Sequence, residues 1–257
     1  MKPESKVVLL ACLFLQPVQA IENIENMNLL SDQARQGIDV QVGLDISGKN
    51  GNTSKQKAGF DSRFQWFKES GTHFLVLSYE YGESSDVKDT DKSFMHLRHI
   101  GYVTDTMAWE VFAQLSSDEF TRLSLRALAG GGVRYKLGKP SESHSSYLGA
   151  GMFRSRETLE EDLGATDEGS DYASRANLYM VNKFKISESA SLLNTLYYQP
   201  DLSDASDYRL LDQFRFNVNI TQKLSIVISL DVSRDSRPPQ NIKPTDSSYA
   251  TGFNYRF

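Results

Sequence analysis

The chain has 257 residues, with 28 Lys plus Arg, 33 Asp plus Glu, a formal net charge of −5 and a single cysteine. Hydrophobic residues make up 39% and the mean hydropathy is −0.44. These values exclude a polytopic helical membrane protein, because each spanning helix needs about 20 consecutive apolar residues and nothing past the first twenty positions comes close. The acidic balance also lacks the basic footprint of a nucleic-acid binder. A transmembrane β-barrel stays open, since its polar interior and loops dilute the average.

Residues 1–20 have the form of a signal peptide. Lys2 and Lys6 make a basic start, residues 7–15 (VVLLACLFL) are apolar, and Val18-Gln19-Ala20 has small residues where cleavage needs them, which predicts a cut after Ala20. Lipoprotein processing at Cys12 is the weaker alternative, because the apolar stretch before it is too short. Cleavage removes two lysines, one glutamate and Cys12, taking the net charge from −5 to −6 and leaving a cysteine-free product. Such a product suits an oxidising periplasm. In residues 21–36, Ile21, Ile24, Met27 and Leu30 recur every three positions, which fits a short amphipathic helix or a disordered periplasmic leader equally well.

From residue 37 the hydrophobic period is two. Ile38, Val40, Val42, Leu44 and Ile46 alternate with polar residues. So do Ala58 to Trp66, Leu75 to Tyr81 and Trp109 to Leu115. Alternation at 180° per residue puts the two sets on opposite faces of a strand. The clearest case is 122–137, with Leu123, Leu125, Ala127, Ala129, Val133 and Tyr135 on one face and Arg122, Ser124, Arg126, Arg134 and Lys136 on the other. Residues 94–103 are ambiguous in phase. Further runs near 145–155, 172–184, 190–199, 210–220, 224–232 and 249–257 bring the total to about twelve strands of bilayer-crossing length. Connections alternate between short (68–71, 104–106, 138–142, 185–188, 221–223) and long (83–92, 157–171, 200–206, 234–246), the asymmetry of an outer-membrane barrel. The chain ends with Phe253, Tyr255 and Phe257 on one face, similar to the assembly signal of outer-membrane proteins. The reading is therefore all-β: a transmembrane antiparallel up-and-down β-barrel over 37–257, apolar outside and polar inside, located in the outer membrane. Its expected partners are outer-membrane lipids, the assembly machinery and periplasmic chaperones, with no nucleic acid.

The chosen phase points Lys57, Arg63, Arg122, Arg126, Arg134, Arg175, Lys183, Arg209, Arg215 and Arg256 into the lumen, together with Asp39, Asp45, Asp61, Glu80, Glu110 and Asp231. The excess is positive. An arginine-rich wall favours anions in a pore; the competing reading is an ion-pair network that fills a narrow barrel and holds its shape. The histidines His73, His96, His99 and His144 form no metal motif, no P-loop is present, and no cofactor is expected. Gly130-Gly131-Gly132 sits mid-strand, where glycine permits close packing. The order His144-Ser145-Ser146 is superficially similar to the His/Ser/Asn site of outer-membrane phospholipase A. It follows a periplasmic turn, however, and so lies at the wrong end for that chemistry.

Three stretches carry a resemblance to a family: Gly51-Asn52-Thr53-Ser54 leading into AGFDSRFQW, SYEYGES at 78–84, and SSDEFTRLSLRALAGGGVRYKL at 116–137. They resemble the YdiY-like salt-induced outer-membrane proteins, which carry domain of unknown function 481. The resemblance implies an outer-membrane barrel and supplies no catalytic residues. A small-solute or anion channel and an envelope (osmotic) stress protein are the leading expectations. A lipid hydrolase is the alternative, and a surface-binding protein using the 157–171 loop is a third.

Overall fold

The computed structural model describes residues 36–49, 54–137, 143–160, 166, 169–221 and 224–255. The signal peptide, nearly all of the 21–36 leader, Arg256 and Phe257 lie outside the described residues, as do the side chains of Phe253 and Tyr255.

Twelve strands follow in chain order: β1 (Gly37–Lys49), β2 (Lys55–Lys68), β3 (Gly71–Ser84), β4 (Val87–Tyr102), β5 (Met107–Asp118), β6 (Leu123–Leu137), β7 (His144–Leu159), β8 (Gly169–Lys185), β9 (Ala190–Pro200), β10 (Tyr208–Asn219), β11 (Leu224–Asp235) and β12 (Thr245–Tyr255). Each pairs antiparallel with the next, in one sheet ordered β1 to β12. This is the up-and-down meander that the period-two pattern predicts. Among the described residues no ladder joins β1 to β12, so these two strands are the sheet's edges.

The sheet is strongly curled. Tyr179 on β8 reaches Glu110 on β5, Arg209 on β10 reaches Glu157 on β7, and Arg122 ahead of β6 reaches the Gln240 carbonyl beyond β11. Strands three apart in a flat sheet would be separated by about 14 Å, so these side chains can meet only across a concave face.

The two faces are inverted relative to a water-soluble protein. Outward positions are large and apolar: Val40, Leu97, Trp109, Val133, Met152, Leu178, Phe214 and Ile228 are all exposed. Inward positions hold buried Arg98, Glu110, Arg126, Arg134, Arg175, Arg209 and Asp231. The inner face is not uniformly polar, which corrects the expectation that every apolar set faces outward. Tyr179, Val181, Leu193, Tyr197 and Leu211 form one buried inner cluster, and Phe74, Ile100 and Ala108 form another. Both clusters join neighbouring strands on the concave face, β8–β10 and β3–β5, where hydrocarbon packs against hydrocarbon.

Local geometry corrects two further expectations. Residues 83–92 are not a long loop. β3 and β4 continue to a two-residue turn at Ser85-Asp86, both at positive φ (53° and 63°), as a type I′ hairpin requires. The polar composition belongs to strand extensions, not to a loop. Strand β6 begins at Leu123, not Arg122. A 3-10 turn at Glu119–Thr121 is capped by Asp118, which accepts from the Phe120 N–H, and Arg122 ends it in the left-handed region at φ 58°. Register shifts on both sides of this turn bury Leu123 and expose Ser124, reversing their assigned faces. The ambiguous 94–103 segment resolves with Phe94, His96, Arg98 and Ile100 inward and Met95 and Leu97 outward.

Candidate functional site

The inner face carries two layers of ion pairs. The deeper one centres on Glu110 of β5. Arg98 Nη1 donates to its Oε2 at 3.2 Å and Arg134 Nη2 at 3.4 Å, while the Tyr179 hydroxyl donates to Oε1 at 3.0 Å. Arg134 Nε in turn donates to the Tyr179 oxygen at 2.9 Å. Tyr179 can lie flat here because its strand partner is Gly149: a Cβ at that glycine would fall 2.0 Å from the ring. A buried carboxylate between two guanidiniums is stable only with this many donors.

The second layer lies toward the opposite strand ends. Glu157 accepts bidentate pairs from Arg126 (2.9 and 3.2 Å) and from Arg209 (2.6 and 2.8 Å). Arg209 Nε also donates to Asp235 at 2.9 Å. Arg175 pairs both carboxylate oxygens of Asp207 at 2.9 Å. Arg122 donates to the carbonyls of Glu160 and Gln240. Glu80 pairs with Lys57 at 2.7 Å and Lys92 at 3.6 Å.

Half of the expected lumen residues thus come together. Arg126, Arg134, Arg175, Glu110 and Glu80 sit in these pairs, and Arg122 caps them. Arg63 and Arg215 lie on inner positions of β2 and β10 outside the two layers. Asp61 is more exposed than expected, on the edge side beside Asp45. The sequence pattern does not show several of the partners. Glu157, Asp207, Asp235 and Lys92 lie in or beside loop-like stretches, Arg98 falls in the run of ambiguous phase, and Tyr179 carries only an aromatic signal. An arginine excess on a predicted inner face was the available clue that acids must face it.

Beyond the strands, Arg237 and the Ser206 hydroxyl converge on Asp204, tying the loop after β9 to the loop after β11. Donation from the Ser206 hydroxyl and backbone N–H, then from Arg237, holds the Asp204 carboxyl down at about 2.

The outer face carries a row of rings over β2–β5: Trp66, His73, His99 and Trp109, with neighbouring centroids 5.5, 4.4 and 4.8 Å apart. Lys68 Nζ lies 3.6 Å above the Trp66 ring. The row lies near the ends of these strands. His144 and Ser146 also share the outer face, with Nε2 and Oγ at 2.7 Å. Ser146 donates its only proton to Asn182 Oδ1 at 2.6 Å, so His144 Nε2–H is the donor to the serine and holds no base lone pair there. Ser146 is also buried. Among the described residues no group of three or more His, Cys, Asp or Glu could hold a metal ion.

A curled antiparallel meander with charge inside and hydrocarbon outside defines the class: an all-β, antiparallel up-and-down sheet. The chain belongs to the family described as "Protein of unknown function, DUF481", whose model matches residues 40–257. Among solved structures it is similar to the NanC porin, at 9% identity and a TM-score of 0.46, over 84% of this chain and 100% of that one. No curated protein matches the sequence.

Proposed function

We propose that this chain is an outer-membrane β-barrel whose lumen is held nearly closed by ion pairs, serving the envelope as a structural or stress component with at most a low-conductance path. The observation that carries this reading is the inverted sheet, with exposed Val, Leu, Met, Phe and Trp outside and arginines and acids buried inside. Lipid cannot hydrogen-bond a backbone, so a spanning sheet has to pair its edges; in the membrane β1 closes on β12. The arginine wall does not act as a ring of open cations, because Arg98, Arg126, Arg134, Arg175 and Arg209 each meet a carboxylate.

Two measurements test this. Envelope fractionation places the chain with membranes and releases it only with detergent, and its unboiled form migrates differently from the boiled one. In planar bilayers the purified protein shows small or no discrete conductance, and Arg126→Ala opens it. A large, anion-selective conductance in the native protein, with reversal potential shifted by Arg63→Ala or Arg126→Ala, would establish the anion channel instead. The lipid-hydrolase reading has one supporting observation, the His144–Ser146 contact. Labelling of Ser146 by a fluorophosphonate would establish it; the proton arrangement above predicts none.

A further inference from the structure

Within the apolar outer belt one strip is polar. Asp212 of β10 lies between Leu211 and Gln213, which are buried on the inner face, and so points outward. It is flanked along the strand by Leu210 and Phe214 and across the ladders by Leu196 and Val232. Asn194 and Asn182 are outward by the same alternation, beside inward Leu193 and Thr195 and inward Val181. Ser146, Asn182 and Asn194 are direct cross-strand neighbours on β7, β8 and β9. Asn194 Nδ2 donates to Asp212 Oδ1 at 2.7 Å and to the Gln213 carbonyl at 3.3 Å, and Ser146 donates to Asn182. The result is a polar ladder running over four strands and reaching the fifth residue of β9 and of β10, well away from both strand ends.

Resting on the membrane reading above, we propose that this ladder is the contact between two copies of this chain in the bilayer. A carboxylate facing acyl chains is costly, and polar side chains at membrane depth are satisfied by protein partners. The internal bonds leave a complementary remainder. Among the described residues Asp212 Oδ2 accepts nothing and Asn182 Nδ2 donates to nothing. A two-fold axis through the strip brings the Asn182 amide of each copy to the Asp212 carboxylate of the other, the reciprocal pattern of an isologous interface. Acyl chains offer no donor, and headgroups do not reach the middle of β10. Leu196, Leu210 and Phe214 supply the apolar surround. The His144–Ser146 contact then has a structural role, anchoring the end of the ladder.

The test is cross-linking of the full chain in lipid vesicles. In the cysteine-free processed chain, Leu196→Cys gives a disulfide-linked dimer on oxidation, while Leu75→Cys on β3 gives none. Adding Asp212→Leu abolishes the dimer band and lowers the thermal midpoint, with heat-modifiable mobility confirming that the barrel folds. No dimer at 196, equal dimer at 75, or an Asp212→Leu protein that still cross-links overturns the proposal. So does a higher midpoint, the result for a monomer whose Asp212 faces lipid. Failure of the membrane reading shows separately, as a chain that fractionates without detergent.

Discussion

Replacing Glu110 by glutamine tests whether the inner network holds the sheet in shape. The substitution keeps the volume and removes the charge. The Glu110 side chain is 1% exposed, and its partners Arg98 and Arg134 are 3% and 5% exposed. Neither guanidinium can lose its proton, so both stay charged at 3.2 and 3.4 Å from a neutral amide. Removing one member of a buried ion pair costs about 3–5 kcal/mol, because the partner is left uncompensated. Tyr179→Phe removes one hydroxyl from the same cluster and costs about 1–3 kcal/mol. The two share a hydrogen-bond network, so Glu110→Gln with Tyr179→Phe together should lose less than the sum. Urea unfolding in lipid vesicles, followed by tryptophan emission and by the unboiled gel band, gives both numbers. If Glu110→Gln loses less than about 1 kcal/mol, the value of a water-exposed pair, the interior is hydrated and the clamp reasoning fails.

Gly149→Ala places a methyl 2.0 Å from the Tyr179 ring; overpacking of this kind costs about 1–3 kcal/mol. Gly48→Ala, whose nearest neighbour would be 3.9 Å away, should stay within about 0.5 kcal/mol in the same unfolding assay. Gly101→Ala meets the Trp109 indole at 2.3 Å and should lift it from His99, shifting tryptophan emission in a Trp66→Phe background; unchanged emission would mean the ring row is not packed. Asp204 titrates at about 2. Its depressed value means that the loop tether is fully present above the ordinary aspartate pKa of about 3.9 and is lost as pH falls through about 2. Carboxyl NMR should show this midpoint rising in Ser206→Ala.

The strand order and the two faces were legible because alternation is imposed residue by residue. On Ile38 to Ile46 or Trp109 to Leu115, a shift of one position would turn every apolar side chain inward. Legibility failed where a local event resets the phase. Just after the 3-10 turn at Glu119–Thr121, a register shift between Leu123 and Leu125 resets the phase, so Leu123 and Ser124 exchange faces. Composition misled at 83–92. Asp, Ser and Lys there mark a hairpin prolonged into polar surroundings, whose turn is only Ser85-Asp86. The site was half visible. Inward arginines follow from phase, but their partners depend on curvature. Glu157 meets Arg209, 52 positions away and three strands over, only because the sheet curls.

That curvature also explains why the inner face tolerates apolar clusters while the outer face does not tolerate polar ones without a partner. Inside, Leu211 packs against Tyr197 and Leu193 across the β9–β10 ladder on the concave face, where hydrocarbon meets hydrocarbon and leaves water. Outside, each strand presents its side chains away from the other strands, one row at a time. A row of amides and a carboxylate can satisfy itself only along the ladder, as Asn194 does with Asp212, and the convex surface turns the remaining lone pairs away from the chain. A second curved wall is the geometry that returns donors to them. The polar strip on β7–β10 and the ion-paired interior are therefore two consequences of one shape, the first needing another molecule and the second needing none.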